Sequence, residues 1–337
     1  MTNREWLLQN AEIPIRYAIT RDPFLVDGLL SHDEVSAWMQ RLSCRVALRD
    51  LSDIHGSDDG RYDTIMRNCF IYGLNASIPP FDSQVRFFID FLNKHITKKY
   101  DDVLTFWKMY AFRDYETILA CYLPFMGYFY EPSVQYVVRK RLQILYDFTK
   151  QRRYDVCRQD LDSAGIPPVW RSHVIDPSLY EDGNIALPSL HDYILLAGAY
   201  AYLSPDEQQK AETIVQWLFG NGYEEVYPRF YYHAPHNPSY KAKAINGKVD
   251  ISGSSLFLCF ILSHYASARH ATWFSNALST FQSYQTKEGR FRFPPAMLGG
   301  RKGEANVGEP KGKKQSSEIL STYWMERILS HGGDMDL

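Results

Sequence analysis

Apolar residues spaced three and four apart recur along almost the whole chain, a pattern that suits a fold built from helices and no other class. Ser31-His-Asp-Glu34 has the form of a capping box, and Val35, Trp38, Met39 and Leu42 behind it fall on one helical face. After Asp82, Val85, Phe88, Ile89, Leu92 and Ile96 keep the same spacing, as do Val134, Val138, Leu142 and Leu145 after Pro132. Ser204-Pro-Asp-Glu207 joins an N-cap, a first-turn proline and a capping glutamate to Ala211, Ile214, Val215 and Leu218, with Gly220 as the stop. Similar segments at 4–11, 13–20, 32–43, 63–76, 82–98, 102–123, 132–150, 188–203, 205–219, 253–270, 272–285 and 316–330 predict about a dozen helices. No strand pattern of comparable length competes with them.

The long connections, 151–187, 220–252 and 286–315, are rich in Pro, Gly, Tyr and charge, and loops of that length inside a domain usually carry function or wrap the fold. No break between helices has the composition of a linker, so residues 1–337 read as a single domain. With 45% apolar and 23% charged residues, and no apolar run near the ~20 residues a membrane span needs, the chain is expected to be globular without a transmembrane segment. Thirty-seven Lys and Arg against 39 Asp and Glu leave a net charge of −2, too little field for a general nucleic-acid binder. The opening Met-Thr-Asn-Arg-Glu-Trp lacks the apolar centre of a secretory signal, which leads to the expectation of a cytoplasmic protein. Cys44, Cys69, Cys121, Cys157 and Cys259 are far apart with no CxxC, as reduced core thiols would be.

Aromatic content is 15%, with 24 Tyr, 19 Phe and 7 Trp. Such an excess has two readings, a core packed with rings or a cavity whose π faces hold a ligand or cation. The segment from Thr280 to Phe291 bears on the choice. It ends an amphipathic helix (Trp273, Phe274, Ala277, Leu278, Phe281) and then places Gln285, Gly289 and Phe291 at fixed short intervals. This resembles the QW repeat of the terpenoid cyclase and protein prenyltransferase superfamily, with Phe291 where Trp is usual. In such a repeat a Gln amide bonds a neighbouring helix end, Gly permits the tight turn and the ring packs over the junction, a structural clamp without chemistry.

A wider set of segments is similar to bacterial squalene-cyclase-like proteins. They are Trp6-Leu-Leu, Pro14-Ile-Arg-Tyr17, Arg21-Asp-Pro23, His55 to Arg61, Gly127 to Val134, Gly165-Ile-Pro-Pro168, Ile175 to Gly183 and Leu187-Pro-Ser189. The resemblance implies an all-α (α/α)6 toroid of six inner and six outer helices around an aromatic-rich centre. Trp107, Tyr231, Tyr232 and Phe291 are the rings expected at the cavity wall. It also implies chemistry on an isoprenoid substrate.

Class II members of that superfamily protonate an alkene or epoxide with a DxDD acid, and this chain has no DxDD. Asp250, in Val249-Asp-Ile-Ser-Gly-Ser-Ser255, occupies the nearest equivalent of its first position, although a helix cap by Asp250 or Ser252 is the more ordinary reading. Asp58-Asp59-Gly-Arg-Tyr-Asp63 has the DDxxxD form that holds Mg²⁺ against a diphosphate, although no second metal motif accompanies it and a surface turn fits as well. Asp155-Val-Cys157 supplies half of a prenyltransferase zinc site among arginines, with no motif for its His partner. His233-Ala-Pro-His236 lies in a tyrosine-rich loop where Pro works against a helical ligand pair. His191-Asp192, at the start of an apolar helix, is the better acid–base candidate, with a first-turn cap as the other reading. Glu318, with Ser316 as capping partner, carries the same two readings. The loop from Gly299 to Lys314 holds five Gly and five basic residues against two Glu, suited either to closing over an anion or to a solvated surface.

Three functions stay open on these grounds. The first is a divergent terpenoid cyclase or prenyl-diphosphate-processing enzyme, in which Asp58, Asp59, Asp63, Asp250 or His191 starts ionisation and aromatic faces stabilise a carbocation. The second is a toroid that binds a peptide, lipid or protein without chemistry. The third is a carbohydrate-active (α/α)6 enzyme with paired carboxylates.

Overall fold

A computed structural model describes residues 1–45, 53–54, 60–96, 115–154, 179, 186–219, 253–295, 298, 306–310 and 314–331. Fourteen α-helices occupy these residues, and no strand is found among them. They are α1 (Asn3–Asn10), α2 (Ile13–Thr20), α3 (Val26–Leu30), α4 (Asp33–Ser43), α5 (Tyr62–Ile71), α6 (Pro79–Ile96), α7 (Tyr115–Ala120), α8 (Pro132–Thr149), α9 (Leu190–Ala199), α10 (Pro205–Leu218), α11 (Gly253–Leu262), α12 (Ala266–Arg269), α13 (Thr272–Gln282) and α14 (Lys314–Leu329). The all-α class expected from the periodicity is what the chain adopts. No helix among the described residues is long and apolar enough to cross a membrane.

Local chemistry sets the helix ends. Thr2 and Glu5 form a reciprocal capping box at α1, and Ser204 with Glu207 forms the expected one at α10, with Pro205 in its first turn. The box expected at Ser31 does not form. His32 occupies the cap of α4 without a side-chain bond, because Glu34 is drawn away to accept the hydroxyl of Tyr72. α6 starts at Pro79, earlier than Asp82, because prolines are well placed in a first turn. The continuous helix expected over 253–270 breaks after Leu262, where Ser263 and His264 turn their side chains onto carbonyls of the preceding turn. Gly220 lies outside the described residues.

Burial divides the helices into two kinds. Nearly every residue of α5 is buried, as are Thr117 to Ala120 of α7, Asp192 to Ala199 of α9, Leu256 to Leu262 of α11 and Ser316 to Met325 of α14. Side chains buried on all faces of a helix mean that it is surrounded by protein. α7 packs on α5 and α9, α11 on α9 and α14, and the Tyr323 hydroxyl of α14 donates to the Ile71 carbonyl that ends α5. α4, α6, α8, α10 and α13 instead bury one stripe each, such as Val85, Phe88, Ile89 and Leu92 of α6 or Trp273, Phe274, Ala277, Leu278 and Phe281 of α13. In chain order these one-sided helices alternate with the wholly buried ones. A contiguous apolar core runs from Trp6 to Ile328, with a satellite cluster of Phe148, Leu179, Leu187 and Trp217.

The QW-like element forms a turn pinned to α14. Gly289 has φ of +82°, Gln285 and Phe291 face each other in an isolated antiparallel bridge, and Phe291 is buried. Gln285 departs from the expectation: its Nε2 donates to the Gly289 carbonyl of its own turn, at 3.0 Å, rather than to another helix. Asn3 of α1 makes the link between elements, donating to both the Gly289 carbonyl and Glu326. The Phe291 and Phe293 amides donate to Thr322 and Ser321 of α14, and Arg290 and Arg292 converge on Glu318. The Arg290 guanidinium also lies 4.7 Å from the ring centre of Trp6. Glu318 is thus the anchor of a two-arginine clamp.

Candidate functional site

The N-terminal turns of α5 and α9 meet in the interior and bring together two ionisable groups from distant parts of the chain. Asp63 sits in the first turn of α5, its amide donating to the Ile54 carbonyl and its Oδ1 accepting the Thr64 amide at 2.8 Å. Its Oδ2 lies 3.9 Å from Nε2 of His191 in the first turn of α9, and the two side chains are only 7% and 15% exposed. An acid and an imidazole at that separation are one small side-chain movement from a hydrogen bond.

Asp192, the neighbour of His191, points elsewhere. It is the third member of a capping box on Ser189, accepting the Ser189 amide and hydroxyl at 2.8 Å each, while Arg141 of α8 donates from Nε at 2.7 Å and from Nη2 at 3.2 Å. Burial alone would push the Asp192 carboxyl up. The guanidinium and the bonds from Ser189 outweigh it and hold the group below the ordinary carboxylate value. A carboxylate so committed fixes the start of α9, and thereby the direction of His191, without being available to trade protons. His191 therefore meets Asp63 and not its sequence neighbour.

Cys121, just after α7, lies close enough to Asp63 and Asp192 to feel both charges. Burial first, and those carboxylates second, raise its thiol well above the usual value, so it is held as a thiol, donating to the Ile118 carbonyl at 3.3 Å. The Tyr62 hydroxyl donates to Leu119 at 2.9 Å and ties α5 to α7. Tyr265, after α11, donates to the Tyr193 carbonyl at 2.7 Å and ties the helix break to α9.

Of the other residues singled out by sequence, Asp58, Asp59, Trp107, Tyr231, Tyr232 and Asp250 lie outside the described residues, as do Cys157, His233 and His236. Asp63 is the described member of the DDxxxD cluster. No group of three or more His, Cys, Asp or Glu among the described residues is arranged to hold a metal ion. Phe291 packs in the core beside α14. Arg141 was not singled out by sequence, yet it carries a signal: it lies seven residues after Val134 and four before Leu145, inside the apolar stripe of α8. A charge in such a stripe calls for a buried partner.

Compared with known proteins, the chain matches no protein-family model, no curated protein and no solved structure.

Proposed function

We propose that the chain is an enzyme of the terpenoid-cyclase type, a divergent (α/α)6 toroid lacking DxDD that acts on an isoprenoid diphosphate or a polyene, with Asp63 and His191 as its proton-handling pair. The observation that carries this reading is the buried approach of those two side chains, 3.9 Å apart at the first turns of two helices surrounded by protein. An acid and an imidazole held this close can pass a proton between them and to a bound group. A carboxylic acid is the kind of group that protonates an alkene or the departing oxygen of an allylic leaving group. His191 then orients the acid and restores its proton. Supporting the toroid are the alternation of one-sided and wholly buried helices and the succession of buried neighbours α5, α7, α9, α11 and α14, with α14 bonded back to α5. The QW-like turn at 285–291 supports the superfamily.

The test is incubation of the purified protein with farnesyl diphosphate, geranylgeranyl diphosphate and squalene, with and without Mg²⁺, followed by mass spectrometry of the extracts. Asp63→Asn and His191→Gln, each shown to be folded, are expected to abolish product. Product that survives both substitutions overturns the assignment of the pair. One feature favours a second reading, a binding protein without chemistry: Phe129 and Tyr202 stack at 4.7 Å beside Tyr130, and Tyr130 and Tyr202 are 73% and 44% exposed, an aromatic shelf open to a partner. That reading gains if none of the three substrates is converted.

A further inference from the structure

The far ends of the buried helices carry the opposite charge. Seven residues beyond Asp63, about 10 Å along α5 at 1.5 Å per residue, Phe70 forms part of an aromatic wall with Phe125, Phe260 and Trp324. Arg327, near the end of α14, places its guanidinium 4.1 Å from the ring centre of Phe260 and 5.3 Å from that of Phe70, and donates to the Tyr323 hydroxyl at 3.0 Å. His264 and His331 bring their rings to 4.0 Å beside it. Arg269, which ends α12, donates to the Ser263 carbonyl at 2.7 Å.

Arg327 and two imidazoles therefore gather against rings, with Arg269 close enough to His331 for its charge to be felt, and none of the four forms an ion pair with a described carboxylate. Glu212 of α10, which packs on α12, is occupied by the amides of Ala266 and Ser267 and the hydroxyl of Tyr200. Glu326, the acid beside Arg327 in sequence, accepts from Asn3. Helix carbonyl ends favour nearby cations, but only weakly. Each guanidinium has five N–H groups in a fork that matches an oxyanion, and Arg269 and Arg327 each spend one on the bonds above. The cluster also opens outward: Arg327, Arg269 and His264 are half-buried and His331 is exposed. Burial and the facing cations hold both imidazoles below their ordinary value, the response of bases gathered beside like charges.

We infer that Arg327, Arg269, His264 and His331 form a binding site for a phosphate-type oxyanion, at the end of the helices opposite the Asp63–His191 pair. An oxyanion there meets two charge-assisted donors and, as the imidazoles take up protons, two more. Its organic part, if it has one, lies against Phe260 and Phe70. The inference stands on its own residues and does not require the cyclase reading.

The test titrates inorganic phosphate into the protein at constant ionic strength set with chloride, following the ring signals of His264 and His331 by NMR, with acetate in a parallel series. Saturable shifts of both imidazoles with phosphate are expected. Arg269→Gln should weaken phosphate about tenfold, the factor that 1.4 kcal/mol represents, and His331→Asn should weaken it in the same direction. Arg327→Gln is a further variant, used where circular dichroism shows it folded. Absence of a saturable shift with phosphate overturns the site, as does an unchanged affinity in Arg269→Gln. Saturation by acetate with phosphate silent overturns the assignment of ligand chemistry.

Discussion

Replacing Asp192 by Asn isolates the buried ion pair that orients α9. Asn keeps the volume and an acceptor for the Ser189 amide, so the cap geometry survives and the quantity removed is charge. The Arg141 side chain, 5% exposed, keeps its charge in the interior while the fully buried carboxylate that meets it in two bonds is gone. Breaking a buried pair from one side costs about 3–5 kcal/mol, whereas deleting a cap hydroxyl, as in Ser189→Ala, costs about 1 kcal/mol. The order Asp192→Asn above Ser189→Ala is the prediction. Removing both charges together, with Arg141→Met and Asp192→Leu, should recover most of the loss, because apolar groups of similar volume need no counter-charge. Urea unfolding followed by far-ultraviolet circular dichroism measures all four proteins. The sign of the pH effect follows from the lowered carboxyl: the advantage of wild type over Asp192→Asn is fully present above the ordinary value of 3.8 and disappears as pH falls through the lower folded value. An Asp192→Asn protein within about 1 kcal/mol of wild type, or a double variant no more stable than Asp192→Asn, would refute the account.

Three more outcomes follow from particular positions. Gly289→Ala should cost about 1–2 kcal/mol through its φ of +82° alone, since the nearest atom to an added Cβ is 4.0 Å away; thermal unfolding checks it, and a neutral result removes the strain argument. His264 is held down to about 3 by burial, His331 and Arg327 against an ordinary 6.5, so the unfolded chain binds the extra proton in that window. Without added phosphate, stability should therefore fall as pH drops below about 6.5, by up to about 1.4 kcal/mol per pH unit, and His264→Gln should flatten the slope. In the folded protein Cys44 is exposed and should react with a thiol reagent at once, while Cys69, Cys121 and Cys259, buried with raised thiol values, should react only on unfolding, as read by mass spectrometry.

Helix existence was legible in this sequence because it depends on short-range spacing, and α8 and α10 start where Pro132 and the Ser204 capping box put them. The misreadings share a cause in contacts made across the fold. Glu34 left its box for a tyrosine 38 residues away, and no local pattern announces that. Ser263 and His264 broke a run whose apolar composition reads as continuous. His191 was legible as an acid–base candidate, yet its partner came from α5 instead of the adjacent position, because Asp192 and Arg141 meet across 51 residues. The charge in the stripe of α8 was the available clue. The Arg327 cluster had no comparable signal, since its residues come from two helices, the turn between α11 and α12, and a position beyond the last helix.

Helix electrostatics accounts for both polar regions at once. The N-terminal turns of α5 and α9 meet at Asp63 and His191, while the last turns of α5, α11 and α14 meet at Phe70, Phe260 and Arg327, so these buried helices run in a common direction. Their amide ends favour carboxylates and their carbonyl ends favour cations. Asp63 and Asp192 lie at the first kind of end, and Arg327 and Arg269 at the second. The dipole effect explains where each sign is tolerated, but it is too small to offset a buried charge by itself, and each group needs a specific partner. Asp192 has a guanidinium and Glu318 has two, which makes them parts of the frame. Asp63 has been brought close to the His191 imidazole, and Arg327 at the other end has been brought against rings beside the His264–His331 pair. Among the described residues these are places where a charge lies beside an imidazole rather than a committed counter-ion, and it is there, in place of the fully committed pairs, that function is to be sought.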